Sequence, residues 1–352
     1  MGDLRQSPEV LATNVLSDQN LYSALDRFWH PVMYSSELPA DRPVGAVLLE
    51  ERIVLARLEG EVQVFRDLCP HRGTALSLGW VEDDCLRCPY HGWKYGSDGR
   101  CTEIPARFGT EIPPKAQLRQ YRAAEQAGLI WVCLADAPEY PVPEFPYLED
   151  PSYRCIQVDE YEWECSAQRR VENYVDMAHF AWVHDGVLGD SAHPEVPDHD
   201  VWREGGELRF VNPRMSEPAT SGKNKSLPID SDTSEVDVSI DYRLFMPFTV
   251  LLDQWIEVLE QRYLLFFSVC PTGPTTCKSF TLMGRDYSLG KETDQEMLDY
   301  NDLVIGQDRP VVQSQRPEEL PVDLTAEIQI RGADLICVEY RRWLRDIAFA
   351  ND

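Results

Sequence analysis

The 352-residue sequence predicts an α+β protein in two parts, an N-terminal all-β domain followed by a C-terminal domain of antiparallel strands and helices. Three observations predict it. From Val44 onward, short β-branched runs alternate with charged turns, which is the pattern of a β-meander. Residues 136–146 then carry Pro138, Pro141, Pro143 and Pro146, marking a stiff, extended connector. Beyond it the strands lengthen and helical spacing appears. The expected divisions are a lead-in over 1–26, a first domain over 27–143 and a second over 144–352.

Taken in order, the lead-in holds one short helix around Asp18 to Arg27. His30 precedes Pro31, a position biased to extended geometry, and reads as structural. Ala46–Leu49, Ile53–Leu58 and Val62–Arg66 read as strands broken at Glu50-Glu51 and Glu59-Gly60-Glu61. Ser97-Asp98-Gly99 reads as a turn, and Gly128–Leu134 as the last strand of the first domain. In the second, Gln168–His184 is expected to be helical, with Val171, Tyr174, Val175, Ala178 and Trp182 as its apolar stripe. Strands follow at Leu208–Asn212, Glu235–Leu244, Phe248–Leu252, Gln261–Cys270 and Ser279–Arg285, with a polar loop over Ser216–Ser234. A helix is expected from Glu292 to Gly306, then a second segment through Pro310 to Gln315, a strand over Ala333–Glu339 and a terminal helix over Tyr340–Ala350.

Charge and composition exclude several classes of function. Against 33 Lys and Arg stand 60 Asp and Glu, a net charge of −27, so nucleic acid and anionic membrane are excluded as partners by repulsion. Solubility accounts for this acidity, and so does steering of a basic redox partner. No apolar run reaches the eighteen or so residues that span a bilayer. The N-terminus has no apolar leader core, and Gln6 spoils a myristoylation match, so neither export nor anchoring is expected. Ten scattered cysteines fit a reducing compartment, and a cytoplasmic location is expected.

The chemistry begins at Cys69-Pro70-His71-Arg72-Gly73 and Cys88-Pro89-Tyr90-His91-Gly92-Trp93. These are a Cys-x-His and a Cys-x-x-His, each followed by a glycine that lets a loop bend around a cofactor. Two thiolates and two imidazoles are the ligand set of a Rieske 2Fe-2S centre, so Cys69, His71, Cys88 and His91 are its candidate ligands. Both pairs are expected at hairpin tips. The competing reading is a Cys2His2 zinc site using Cys85-Leu86-Arg87-Cys88, but a His two residues from its Cys is too close for finger spacing. Cys85 is then a buried bystander.

A second constellation lies on the expected helix. Asn173, Asp176 and His179 recur at threes and share a face. His179 and His184 are five apart, which on a regular helix points them about 140° from each other. A shared metal therefore requires the helix to bulge or end between them. On spacing alone, a metal pair and ordinary buried histidines are equally open.

The two cysteine motifs, followed by Asn-x-x-Asp-x-x-His-x-x-x-x-His, resemble the catalytic α subunit of Rieske non-haem iron oxygenases, over about Phe28 to Asp346. The resemblance implies a helix-grip-like catalytic domain in which His179, His184 and a later carboxylate hold a mononuclear Fe(II), leaving positions for O2. Asp302, Asp308, Glu292 and Glu296 compete for that carboxylate. The pattern Gln307-Asp308-Arg309-Pro310 resembles the family's and selects Asp308; the alternative is that Asp308 caps a segment opening at Pro310. Asp176 is implied to carry electrons from His91 of one protomer to His179 of the next, which needs a closed ring and suggests a homotrimer. It could equally orient a metal-bound imidazole, and Asn173 would assist.

The sequence contains no GxGxxG motif and no plant-type cluster spacing, so a separate NAD(P)H-dependent reductase, with or without a ferredoxin, is implied. The residues around His184 and Val338–Leu344 resemble the monooxygenase and demethylase branch, which hydroxylates a small organic substrate or removes an O- or N-methyl group. A cis-dihydroxylating enzyme is the alternative, and a pure electron carrier would leave the second domain unexplained. Phe245, Phe248 and Trp255 read as core rather than pocket.

Overall fold

The computed structural model describes residues 21–350 except 108, 110 and 219–234, and side chains except those of 212–216. The chain forms two compact units, one of Leu25–Glu144 with Cys270–Gly273, the other of the remaining described residues. The first is all-β and the second combines antiparallel strands with helices, which together give the expected α+β class.

In the first unit, β1 (His30–Tyr34), β2 (Val44–Leu48), β3 (Glu51–Leu58), β4 (Glu61–Arg66), β9 (Gln120–Gln126) and β10 (Leu129–Cys133) form a six-stranded antiparallel sheet in the order β1-β10-β9-β4-β3-β2. A smaller sheet of β5 (Trp80–Glu82), β6 (Cys85–Arg87), β7 (Lys94–Tyr95) and β8 (Cys101–Glu103) is inserted between β4 and β9. Val54, Ala56, Leu58, Phe65, Leu76, Leu86 and Tyr95 build one buried cluster, and Cys69 and Cys88 belong to it. The second motif sits on the β6–β7 hairpin as expected. The first does not occupy a hairpin tip: β4 pairs with β3 and β9 whereas β5 pairs with β6, so its loop crosses from one sheet to the other. Cys85 is half-exposed on β6 rather than buried. Residues 21–24 are helical and run into a 3-10 turn at Leu25–Arg27; the earlier part of the expected lead-in helix lies outside the described residues.

The second unit is built on β11 (Arg154–Gln157), β12 (Tyr161–Trp163), β13 (Asp200–Glu204), β14 (Glu207–Pro218), β15 (Glu235–Phe245), β16 (Thr249–Ile256), β17 (Gln261–Gly273, whose last four residues belong to the first unit) and β18 (Thr276–Arg285). Its order is β11-β18-β17-β16-β15-β14-β13, with β12 also on β18. On β15 the even-numbered residues are buried and the odd ones are not, so alternate side chains face the helices. The expected loop from Ser216 begins later, because β14 continues to Pro218; the rest of it lies outside the described residues.

Four helices complete this unit, and each departs from expectation. The segment expected as one helix is two, α1 (Ala167–Val175) and the short α2 (Phe180–Val183). Trp182 consequently leaves the apolar stripe and is 66% exposed. Helix α3 (Asp294–Val312) runs unbroken through Pro310, which falls in the last turn, where few intrahelical bonds remain to be lost. The expected strand over Ala333–Glu339 is the first part of helix α4 (Leu335–Phe349). Its apolar residues follow the helical period, Ile336, Cys337, Tyr340, Trp343, Leu344 and Ile347 all being buried, and this stripe outweighs the β propensity of Ile336 and Val338.

His30 is structural, fully buried, with Nε2 2.8 Å from the Leu25 carbonyl. Burial lowers its pKa to about 4, and the carbonyl contact offsets this only in part. A depressed imidazole costs nothing while neutral in both states; stability falls as pH drops from 6.5, where the unfolded chain takes the proton, to about 4, where the folded one does. Urea titrations at pH 7, 5 and 4 should show His30→Gln losing less stability with acid than the wild type, by on the order of 3 kcal/mol across that window.

Candidate functional site

The two cysteine loops share one backbone frame. In the first, Gly73 N–H donates to the Cys69 carbonyl (2.9 Å) and Cys69 N–H to the Thr74 carbonyl (2.8 Å). In the second, Gly92 N–H donates to the Cys88 carbonyl (3.0 Å) and Cys88 N–H to the Trp93 carbonyl (2.9 Å). Both glycines have φ near +70°, which a side chain would strain. The sulfurs of Cys69 and Cys88 are buried, at 2% and 1% residue exposure, whereas His71 is half-buried and His91 exposed. The imidazole rings lie 4.4 Å apart at 66°, and His71 stacks on Trp93 at 4.5 Å. His71 Nδ1 is buried without a hydrogen-bond partner, the environment expected of a nitrogen that takes a metal. Burial pushes the Cys88 thiol pKa up, opposed by the backbone N–H groups of Tyr90 and His91 that point at its sulfur. Tyr95 Oη lies 3.2 Å from Cys69 Sγ. Two sulfurs inside and two imidazoles outside suit a 2Fe-2S cluster with its His side towards solvent.

In the second unit the helix break makes the other site. Asp176 ends α1 with extended backbone and its Oδ1 accepts the Ala178 N–H (2.9 Å), holding the chain out of helix. His179 then precedes α2 and His184 follows it. The next residues fold back on this turn, Val187, Leu188 and Gly189 all donating to the His184 carbonyl. Gly189 is obligatory there, since a Cβ would lie 2.5 Å from the Phe180 backbone.

Asp308 projects from the interior of α3 and is 5% exposed, so it is not the cap of a segment starting at Pro310. Its Oδ1 lies 3.1 Å from His184 Nε2 and 3.5 Å from His179 Nε2, and one donor atom from each of the three residues lies within 4.8 Å of the others. Ligands at about 2.1 Å on one face of an octahedron are separated by about 3 Å, so this set fits an iron with little movement. Burial disfavours the Asp308 charge, but His179, His184 and Arg170 together hold its pKa well below the usual carboxylate range. Burial likewise opposes the charged form of His179, yet Asp176 and Asp308 raise its pKa to about 9. Asp176 Oδ2 stands 3.5 Å from His179 Nδ1, too far for a full hydrogen bond. Asn173 accepts from Arg170 (2.6 Å) and donates to Asp308 (3.3 Å), so it orients the carboxylate.

Gln307 was not singled out from the sequence. Its Oε1 is 2.8 Å from His184 Nδ1, which sets Nε2 as the nitrogen available to a metal. Its position beside Asp308 was the only sequence signal. The competing carboxylates lie elsewhere: Asp302 is exposed and bonded to Tyr161, Glu292 is exposed, and Glu296 is absent from the cavity wall. His193 pairs with Asp190 (2.8 Å) on the surface, and His199 Nδ1 lies 3.0 Å from the Pro197 carbonyl.

A cavity of about 710 Å³, the open space beyond its mouth included, opens over His179, His184 and Asp308. Helix α3 lines it with Tyr300, Asn301, Val304 and Ile305; the sheet contributes two cross-strand rows, Ile240–Gln254–Tyr263 and Tyr242–Leu252–Leu265. Phe245, Phe248 and Trp255 are absent from the wall.

Residues 28–121 match the Rieske [2Fe-2S] domain, and residues 163–349 match the vanillate O-demethylase oxygenase C-terminal domain. The chain is a Rieske non-haem iron oxygenase. This oxygenase is 34% identical to the methylxanthine N1-demethylase NdmA of Pseudomonas putida, over 96% of this chain and 92% of that protein. It is 32% identical to the N3-demethylase NdmB of the same organism, over 93% and 90%. The solved structure of NdmA with caffeine matches with a TM-score of 0.80 at 33% identity, covering 94% of this chain and 92% of that one. The oxygenase therefore uses a Rieske 2Fe-2S cluster and a mononuclear non-haem iron, belongs with the monooxygenases and demethylases, and takes its electrons from an external source. Among its described residues no helix is long and apolar enough to cross a membrane, and no two cysteines are joined in a disulfide.

Asp308→Ala should reduce the iron content of the purified oxygenase from about three to about two atoms per chain, with the cluster's visible spectrum retained. Unchanged iron stoichiometry would remove Asp308 from the ligand set. Tyr95→Phe removes a hydrogen bond to a cluster sulfur and should lower the cluster potential by on the order of 50 mV in a redox titration, a bond of about 1 kcal/mol in a one-electron couple.

Proposed function

We propose that this oxygenase removes an N-methyl group from a small, flat, uncharged heterocycle by hydroxylating it. The convergence of His179, His184 and Asp308 on the floor of a largely apolar cavity carries the reading, because it leaves one face of a bound iron towards whatever fills the cavity. The iron supplies O2 activation. The reaction balances as follows: the N-methyl substrate, O2, two electrons and two protons give the N-hydroxymethyl compound and water. That carbinol then breaks its N–C bond, releasing formaldehyde and leaving the nitrogen with a hydrogen in place of the methyl. The protein's own part is positional. Gln307 and Asn173 orient His184 and Asp308, and Phe180, Leu188, Leu252 and Leu265 keep water from the reacting methyl. The relatives named as N-demethylases support the choice of methyl carrier.

We further assign Cys69, His71, Cys88 and His91 to the cluster and His179, His184 and Asp308 to the iron. Electrons reach the cluster from a separate NAD(P)H-dependent reductase, directly or through a ferredoxin. They then pass from His91 of one protomer through Asp176 to His179 of the next in a cyclic homotrimer. Support comes from exposure, for His91 reaches solvent and the Asp176 side chain is 30% exposed, so a neighbouring copy can meet each. The eight cysteines outside the cluster, none of them in a disulfide, support a cytoplasmic location.

Pre-reduced oxygenase mixed with caffeine under 18O2 should form formaldehyde and demethylated product in a single turnover without reductase. A cis-diol carrying two labels would instead establish dihydroxylation. Asp176→Asn should retain both metal centres yet lower turnover at least 100-fold, with cluster oxidation by O2 equally slowed; wild-type rates would remove Asp176 from the route.

A further inference from the structure

The orientation of Asp308 depends on which end of the Asn173 amide faces it. An amide presents an acceptor at one end and two donors at the other, and only the N–H end can bind a carboxylate. Turned over, Asn173 would set its carbonyl oxygen against Asp308 Oδ1, the atom that approaches both His179 and His184. The shape of an amide prefers neither end, so something outside it must choose.

Arg170 makes that choice. It stands three residues before Asn173 on the same face of α1, and its Nη1 donates to Asn173 Oδ1 at 2.6 Å. A guanidinium has five donors and no acceptor, so only the oxygen end of the amide can face it, and Nδ2 is left towards Asp308 at 3.3 Å. The guanidinium is itself held. Its carbon lies 4.3 Å from the ring centre of Trp163, on β12, and 4.7 Å from that of Phe267, on β17. Each ring is tied in turn: Trp163 Nε1 donates to Ser279 Oγ of β18 at 2.9 Å, and Phe267 stacks on Tyr174 at 4.2 Å. Arg170 is 1% exposed, so water does not compete for the amide oxygen from its side. The positive charge also favours the ionised form of Asp308.

Resting on the assignment of Asp308 to the iron made above, we propose that Arg170 is a positioning residue: held against Trp163 and Phe267, it fixes the Asn173 amide and, through it, the carboxylate that binds the iron. The sheet thereby governs a ligand carried by α3. Strands β12 and β17 set the guanidinium, the guanidinium sets the amide, and the amide sets Oδ1. His184 has its own partner in Gln307, so loss of Arg170 loosens the carboxylate and leaves that imidazole in place.

Release of the mononuclear iron from reduced holoenzyme to a ferrous chelator, with cluster absorbance recorded alongside, tests this in a double-mutant cycle. Arg170→Met removes the donors and keeps an apolar stem, whereas Arg170→Lys keeps a donor and the charge. Arg170→Met and Asn173→Ala should each speed iron release about tenfold, the scale of one charge-assisted hydrogen bond. The double variant should match the singles and not reach about a hundredfold. Arg170→Lys should stay within about threefold of the wild type, because a donor still faces the amide oxygen. With nitric oxide as a spin probe, the EPR signal of the iron in Arg170→Met should shift to that of Asn173→Ala, which a loss of packing elsewhere would not produce. If Arg170→Met fails to fold, Arg170→Gln takes its place in the cycle. Wild-type iron release in the Arg170 variant, or a double variant whose effect is the product of the singles, overturns the proposal. Failure of the underlying assignment looks different: Asp308→Ala would then keep its mononuclear iron.

Discussion

Three donor atoms from two helices can meet at one point only because the first helix stops at Val175. Had α1 continued, His179 and His184 would diverge by about 140° and Asp308 could face only one of them. The stop is made locally, by the Asp176 carboxylate taking the Ala178 N–H in place of a helical carbonyl. Asp176 thereby does two things at once, ending the helix and placing a carboxylate beside His179. The return of the chain over α2 completes the device, and the contact at Gly189 is too close to accept any side chain.

A helix that ends early needs other anchors, and α1 has them on the side away from the cavity. Glu172 pairs with Arg341 of α4, Arg341 also reaches Glu327 (2.7 Å), and Glu327 is held in turn by Arg169 (2.7 Å). Arg169 donates further to the Pro317 carbonyl. Burial raises the Glu172 pKa against the pull of Arg341, so desolvation offsets part of the pair's attraction. What the network secures is position: losing one member would strand a buried charge at about 3–5 kcal/mol, and this fixes α1 and α4 in one register. The iron site is thus referenced to the C-terminal helix, although that helix contributes no side chain to the wall around the three donors.

The sequence disclosed the chemistry more readily than the architecture. Cys69, His71, Cys88 and His91 were legible as candidate ligands from residue type and spacing, whereas His179 and His184 stayed open on spacing alone and, with Asp308, were selected by the family resemblance. Gln307 was not, for an amide carries no such signature until its partner is seen. The β propensity of Ile336 and Val338 concealed a helix whose buried stripe continues past them to Ile347. Pro310 suggested a boundary where the helix merely nears its end. The cavity was the least legible part. Alternation shows which residues of a strand share a face, but rows such as Tyr242–Leu252–Leu265 depend on how neighbouring strands slide past one another, and turn geometry sets that register.

The cluster loops solve a different problem. Their frames are equivalent, with glycine four residues after each cysteine and a carbonyl five after it closing the loop. Their histidines are not, standing two residues after Cys69 and three after Cys88. With that one-residue offset the two imidazole rings lie 4.4 Å apart at 66°. They are also unequal, because His71 is pinned flat against Trp93 while His91 reaches solvent. A one-electron carrier buried through its sulfurs can exchange electrons only through ligands at the surface. That asymmetry favours His91 over His71 as the exit in the electron route proposed above.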